Sequence, residues 1–186
     1  MIDLTPACRR MIDLLAGVAD DQLIGPSPCT DYTVGDLIEH VDQFCHGFSA
    51  LAHHDTGGRQ GTGSGAGATH FGPGWRDAVA QHVQELGKAW DDPVAWQGST
   101  NLSGLELSNE LWGKIAFTEL VVHGWDIAKA TGQPFDLPEP TLRACLDHVA
   151  EFIPNAPIPA LWDSPVDVAP GATLIERIVA ITGRTP

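Results

Sequence analysis

The sequence has few cysteines, and their spacing argues against the usual cysteine-based sites. Cys8, Cys29, Cys45 and Cys145 stand far apart and form no Cys-x-x-Cys pair, so neither a disulfide framework nor a thiolate zinc knuckle is indicated. The first helix-like segment lacks an apolar signal core, and no apolar run reaches transmembrane length. We therefore expect a cytoplasmic protein in a reducing environment, without a membrane partner.

Basic residues are also scarce. Ten Lys and Arg stand against 24 Asp and Glu, which gives a formal net charge of −14. A chain of that sign repels a phosphate backbone, so we exclude nucleic acid as a partner. Dispersed carboxylates attract cations, but they usually serve only solubility. A specific metal site must therefore be argued from particular residues.

The spacing of apolar residues predicts an all-α protein. With 186 residues, the chain is long enough for one well-buried core and short for two, so we predict a single domain spanning 1–186. Apolar positions that recur at three and four residues predict a bundle of helices. Thr5 is the expected cap of the first helix and Thr33, with Asp36, of the second. The predicted helices are 5–19, 34–54, 75–90, 105–130, 140–152 and 173–181, with a short extended piece at 94–96.

A glycine-rich stretch, residues 55–73, separates the second and third predicted helices. Its Gly61-x-Gly63-x-Gly65-x-Gly67 spacing invites comparison with a phosphate-binding loop. No strand pattern precedes it and no Gly-Lys-Ser/Thr follows it, so a flexible loop or lid is the better interpretation. Since the stretch directly follows the second helix, we expect it to lie near the mouth of any pocket beside that helix.

Two polar residues interrupt the apolar face of the predicted helix 105–130. Glu119 and His123 are four residues apart, so their side chains point the same way, about 6 Å apart at Cβ. That geometry can chelate a metal, and a cation would offset the cost of burying Glu119. A simple side-chain pair at the edge of the core is the alternative. His40 is a third candidate on the inward side of its helix, but His82 and His148 are similarly placed, so periodicity leaves the choice open.

A family resemblance narrows that choice. The stretches CTDYTVGDLIEH, residues 29–40, and ELVVHGWDIA, residues 119–128, with Ala130-Thr131-Gly132, resemble the metal-binding domain of mycothiol-dependent maleylpyruvate isomerases. That domain belongs to the DinB-like helical superfamily. The likeness runs along almost the whole chain, including residues 166–183. It implies a DinB-like bundle of four main helices with an extra short C-terminal helix, and a zinc-type site formed by His40, Glu119 and His123.

The resemblance also implies a chemistry. Two imidazoles and one carboxylate leave a coordination position open, as in catalytic rather than structural zinc sites. The expected cofactors are a divalent metal, zinc or alternatively nickel, and mycothiol, whose coordinated thiol would attack a small-molecule electrophile. Asp126 is expected either to accept a proton from a ligand imidazole or to face solvent. Trp112 and Trp125 are expected to pack, and Cys45 to be an inert buried residue, with contact to the metal as the alternative.

Three functions remain open at this stage. The leading one is a metal-dependent S-transferase-like enzyme with an actinobacterial thiol. The others are a metal-dependent hydrolase that uses metal-activated water, and a non-catalytic metal-binding or stress-response module. The isomerases themselves carry a further C-terminal domain that we do not expect in 186 residues, so maleylpyruvate isomerisation is not transferred. The substrate and the oligomeric state, with a homodimer as one option, are left open.

Overall fold

The computed structural model describes residues 1–30, 32–54, 71–102, 104–156 and 162–186, and within them it is mostly helical. The all-α class predicted from the sequence is confirmed. Asp31 lies outside the described residues. Residues 55–70, which make up most of the glycine-rich stretch, lie outside them as well. The elements are α1 (Thr5–Gly17), α2 (Val34–Ala52), α3 (Trp75–Trp90), β1 (Ser99–Leu102), β2 (Leu105–Ser108), α4 (Asn109–Thr131), α5 (Glu139–Phe152) and α6 (Leu174–Ile181).

Helices α1 to α4 form a four-helix bundle. Helix α1 packs against α3 and α4, and α2 packs against the same two helices. Helices α1 and α2 therefore occupy opposite corners, and α2 lies between α3 and α4. Each of its sides consequently faces a different neighbour. The centre of the bundle is filled by fully buried side chains, among them Met11, Leu14, Leu37, Ile38, Leu86, Phe117 and Leu120.

A capping box fixes the start of α2, as predicted. Thr33 Oγ1 accepts a hydrogen bond from the backbone N–H of Asp36 at 3.1 Å, and Asp36 Oδ2 accepts one from the backbone N–H of Thr33 at 3.0 Å. Both groups satisfy backbone donors that the first turn of a helix leaves without an intrahelical partner. The box therefore holds the turn that precedes His40.

The start of α4 differs from the prediction. Residues 105–108, expected to be helical, form β2, which pairs antiparallel with β1, and Ser108 then caps the helix by accepting a hydrogen bond from Leu111 N–H at 3.2 Å. The alternating Leu105 and Leu107 suit either structure over four residues, and the pairing with β1 decides.

The predicted extended piece at 94–96 is also wrong, because Pro93–Trp96 forms a 3-10 turn. Helix α4 ends at Thr131 and is capped by Gly132, which has the left-handed conformation expected there.

Smaller differences concern the ends of the first two helices. Helix α1 begins at Thr5 with Leu4 in the cap position, so Thr5 is not the cap. It ends at Gly17 instead of near residue 19, and α2 ends at Ala52 instead of residue 54. Helices α3 and α6 have almost the predicted bounds.

The described residues group into two compact units, Met1–Phe135 and Asp136–Pro186. The first holds the bundle and the β1–β2 hairpin. In the second, α5 packs against α6, whose start is fixed by a capping box of Thr173 and Glu176. The single-domain organisation stays a prediction. None of the helices within the described ranges has the length and apolar character needed to cross a membrane.

Candidate metal centre

Three side chains from two neighbouring helices converge inside the bundle. His40 comes from α2, and Glu119 and His123 come from α4. The Oε2 atom of Glu119 lies 3.1 Å from Nε2 of His40 and 3.1 Å from Nε2 of His123. One ligand atom from each residue can be chosen so that all lie within 4.8 Å of one another. The structure thus brings together the three residues singled out from the sequence.

These three side chains differ in their access to solvent. The side chain of His123 is 6% exposed, that of Glu119 14% and that of His40 31%. The α4 end of the cluster is therefore enclosed by protein, and the α2 end is open. A small molecule would reach the cluster from the side of His40.

Asp126 orients the imidazole of His123. Its Oδ2 atom lies 3.0 Å from Nδ1 of His123, and its side chain is fully buried. A proton on Nδ1 donated to that carboxylate leaves Nε2 facing Glu119. This Nε2 needs a second proton or a cation to face a carboxylate oxygen favourably. Asp126 is therefore placed to accept a proton from the imidazole of a histidine that could hold a metal, and this contact was one of the two alternatives left open by the sequence.

The protonation of the cluster follows from the same contacts. Burial alone would lower the pKa of His123, but the hydrogen bonds to Asp126 and Glu119 outweigh it and raise that pKa from 6.5 to about 9. Burial would likewise raise the pKa of Glu119, yet hydrogen bonds from His123 and His40 bring it well below its ordinary value. In the absence of metal, therefore, a carboxylate faces an imidazolium at neutral pH. A divalent cation can take the place of that proton.

Aromatic rings hold His40 in position. Tyr32 stacks on its imidazole with ring centroids 5.6 Å apart and an angle of 18° between the planes. Phe44, one turn further along α2, contacts it edge-on at 5.6 Å. Sequence reasoning gave neither residue a role at the site, although Tyr32 lies in the motif that carries the resemblance. Because Tyr32 precedes the helix, helical periodicity could not place it beside His40.

The other residues considered from the sequence lie elsewhere. Cys45 is fully buried outside the three-residue cluster, and burial raises the pKa of its thiol well above the ordinary value. Trp112 and Trp125 are buried, and Trp112 donates a hydrogen bond to the carbonyl of Thr100. His148 belongs to α5, in the second unit.

The donor set fits a divalent transition metal. Ligand atoms of a tetrahedral zinc ion are about 3.3 Å apart when the metal–ligand distances are about 2.0 Å. The two separations of 3.1 Å at Glu119 are close to that spacing. Two imidazoles and a carboxylate suit zinc and its neighbours in the first transition row. Three protein donors leave a fourth position for an exogenous ligand.

Relatives of known sequence match about two thirds of this chain. Two uncharacterized proteins of Mycobacterium tuberculosis, from strains CDC 1551 / Oshkosh and H37Rv, are each 33% identical over 128 residues. The match covers 67% of this chain, and the chain spans only 63% of the length of those relatives.

Solved structures share the fold. The crystal structure of the mycothiol-dependent maleylpyruvate isomerase is similar with a TM-score of 0.60 at 21% identity, over 79% of this chain and 68% of that one. A histidine-to-alanine mutant of the isomerase gives 0.59 at 20% identity, with the same coverage. At such identities the likeness establishes the fold, and the DinB-like bundle predicted from the sequence is confirmed.

A family model decides the classification. The mycothiol maleylpyruvate isomerase N-terminal domain matches residues 4–128, a range that contains the three clustered side chains and Asp126. This range covers well over half of the chain and lies within the first compact unit. The chain therefore belongs to the family of the mycothiol maleylpyruvate isomerase N-terminal domain.

Proposed function

We propose that this protein is a metal-dependent S-transferase-like enzyme that uses a low-molecular-weight thiol of the mycothiol type. The observation that carries the proposal is the contact of one Glu119 oxygen with an imidazole nitrogen from each of two helices, at 3.1 Å in both cases. His40, Glu119 and His123 would be the metal ligands. Zinc is the expected ion, with nickel as the alternative.

The chemistry depends on the open coordination position. A divalent ion held by these ligands would lower the pKa of a coordinated thiol and so supply a thiolate nucleophile at neutral pH. The chain's own residues have simpler roles. Glu119 supplies the negative charge, Asp126 keeps Nε2 of His123 directed toward Glu119, and the buried α4 end excludes water.

The open side of the cluster is where thiol and electrophile would meet. His40 is the most exposed of the three ligands, and Tyr32 covers one face of its ring. Aromatic surface beside a polar centre is typical of small-molecule sites. A small electrophilic substrate therefore fits this opening, in keeping with a family whose solved members are named for mycothiol and maleylpyruvate.

The first experiment is metal analysis of the full chain purified without an affinity tag. We expect the His123→Ala variant to contain one divalent metal per chain fewer than the wild type. The His53→Ala variant is the matched control, because His53 is an exposed histidine at the end of α2, outside the cluster. If wild type and His123→Ala bind equal amounts of metal, including added zinc, the proposed ligands are wrong.

A second experiment separates the chemistries. The metal-loaded protein is incubated with mycothiol and 1-chloro-2,4-dinitrobenzene, whose chloride a thiolate displaces, and with maleylpyruvate in parallel. Turnover of 1-chloro-2,4-dinitrobenzene that requires mycothiol and is lost in His123→Ala supports the transferase-like function, whereas mycothiol-dependent conversion of maleylpyruvate alone would indicate an isomerase. Turnover of ester or amide substrates without any thiol would instead indicate a hydrolase. Metal binding without either activity would indicate a non-catalytic module.

A further inference from the structure

A second cluster of ligand-type side chains lies on the other side of α2. Asp42 and His46 belong to α2, and His82 belongs to α3. Asp42 Oδ1 is 2.6 Å from Nδ1 of His82, and the ring centroids of His46 and His82 are 3.8 Å apart. One ligand atom from each of the three residues can be chosen so that all lie within 4.8 Å of one another.

Helix geometry separates this cluster from the first. Asp42 and His46 are two and six residues beyond His40, which turns them about 200° and about 240° around the α2 axis. They therefore point toward α3, whereas His40 points toward α4. Asp42 and His46 are themselves four residues apart and point the same way. The arrangement repeats the pattern of the first site, with two donors one turn apart on one helix and a third from the neighbour.

A hydrogen bond explains only part of the cluster. The contact between Asp42 and His82 is an ordinary carboxylate–imidazole hydrogen bond of 2.6 Å. It does not account for His46, whose ring lies against that of His82 at an angle of 50°. An exposed imidazole gains little by stacking on a second imidazole that is already bound to a carboxylate. A cation shared by the three side chains would give every one of them a favourable partner.

We propose that Asp42, His46 and His82 form a second divalent transition-metal site, which links α2 to α3. The donor set, two imidazoles and one carboxylate, suits zinc, nickel or cobalt better than calcium or magnesium, which prefer oxygen ligands. Asp42 and His82 are about a quarter to a third exposed, at 31% and 24%, and His46 is exposed. The ion therefore exchanges with solvent, and its occupancy follows the free metal concentration.

An ion at this second site would join α2 to α3 and so restrict movement of α2. An ion that binds the folded chain and not the unfolded one stabilises the fold in proportion to its occupancy. Because the same helix carries His40 on its other side, the ion would also help to keep His40 in place beside Glu119 and His123. The second site is argued from its own residues and does not depend on the function proposed for the first.

Zinc titration of the metal-stripped, untagged full chain tests this proposal. We expect two zinc ions per chain for the wild type and one for His46→Ala, whose exposed side chain can be removed without opening the core. The His53→Ala variant should still bind two. The rise in melting temperature that zinc produces should be smaller in His46→Ala than in His53→Ala.

Variants of both sites allow zinc binding at the second site to be measured whether or not His40, Glu119 and His123 bind an ion. His123→Ala should retain one zinc ion, which a further His46→Ala substitution removes. Cobalt(II) substitution gives a second readout, since the visible absorption of His46→Ala should lose the contribution of one ion. Equal stoichiometry and equal thermal stabilisation in wild type and His46→Ala would overturn the second site, whether or not the first one binds metal.

Discussion

Asp126 Oδ2 lies 3.0 Å from Nδ1 of His123, and this contact determines which nitrogen of the imidazole faces Glu119. Both residues are on α4, three positions apart, and both are buried. The second nitrogen of His123 is 3.1 Å from Glu119. The candidate ligand is therefore held between two carboxylates, one that would share the metal with it and one that fixes its tautomer.

The first prediction concerns Asp126. Replacing it with alanine should lower zinc affinity at the first site by about 10- to 100-fold, because the ligand imidazole loses the group that orients it. Asp126→Asn retains an oxygen acceptor and should lose less. Affinities can be measured by competition with a chromophoric chelator, in a His46→Ala background so that one site is observed. Wild-type affinity in Asp126→Ala would show that the contact does not position the ligand.

The second prediction is a pH dependence of the metal-free protein. The pKa of His123 is raised on folding from 6.5 to about 9, so the folded state binds the extra proton more tightly than the unfolded state. The contribution of protonated His123 to stability is complete below about pH 6.5 and is lost as the pH rises through about 9. A pKa shift of that size corresponds to a loss on the order of 3 kcal/mol in the free energy of unfolding.

Urea unfolding in the presence of a chelator, between pH 6 and 9.5, measures this loss. In the His123→Gln variant, the free energy of unfolding should change little with pH between pH 6 and 9.5. Zinc affinity at the first site should rise over the same range, because the ion must displace the proton. A metal-free wild type whose stability does not fall above pH 7 would contradict the charged state of His123.

The third prediction concerns the shared carboxylate. Glu119→Gln keeps the shape of the side chain but removes the charge that the two imidazoles share. We expect zinc binding at the first site to be lost or weakened by at least about 100-fold, and the pKa of His123 to fall toward its ordinary value. Nuclear magnetic resonance of the histidine ring protons reports the pKa directly in metal-free protein. An unchanged His123 titration in Glu119→Gln would rule out the coupling.

The fourth prediction compares two helix glycines. A Cβ atom at Gly113 in α4 would lie 2.6 Å from a ring carbon of Trp90 and 2.8 Å from one of Trp96, whereas a Cβ at Gly47 in α2 would meet nothing within 4 Å. Gly113→Ala should therefore destabilise the protein by about 1–3 kcal/mol. Gly47→Ala should stabilise it by up to about 1 kcal/mol, through better helix propensity. Chemical denaturation of the two variants side by side tests both signs.

Helix positions were predictable where local chemistry sets them. The capping box of Thr33 and Asp36 and the left-handed Gly132 are short-range features, and both are where the sequence indicated. The start of α4 was not predictable in this way. Residues 105–108 are extended because they pair with β1, and such a pairing leaves little trace in a four-residue pattern.

The candidate site was predictable in part, for a similar reason. The pairing of Glu119 with His123 follows from their spacing on one helix, but the choice of His40 over His82 needed the family motif. The structure supplies the reason. His40 lies on the side of α2 that faces α4, where it meets Glu119, whereas His82 lies on α3 and meets the opposite side of α2 at Asp42. Which helices are neighbours is a property of the bundle and cannot be obtained from the period of one helix.

The two parts of the first site depend on different levels of structure. Glu119 and His123 are one turn apart, so they come together as soon as α4 is helical. His40 is 79 residues away from Glu119 along the chain, and it arrives only when α2 docks. All three donors are therefore together only in the assembled bundle, and detachment of α2 would leave an ion on the two α4 donors. If the rate of release to a chelator falls when α2 is stabilised, that rate reports local opening of this one helix.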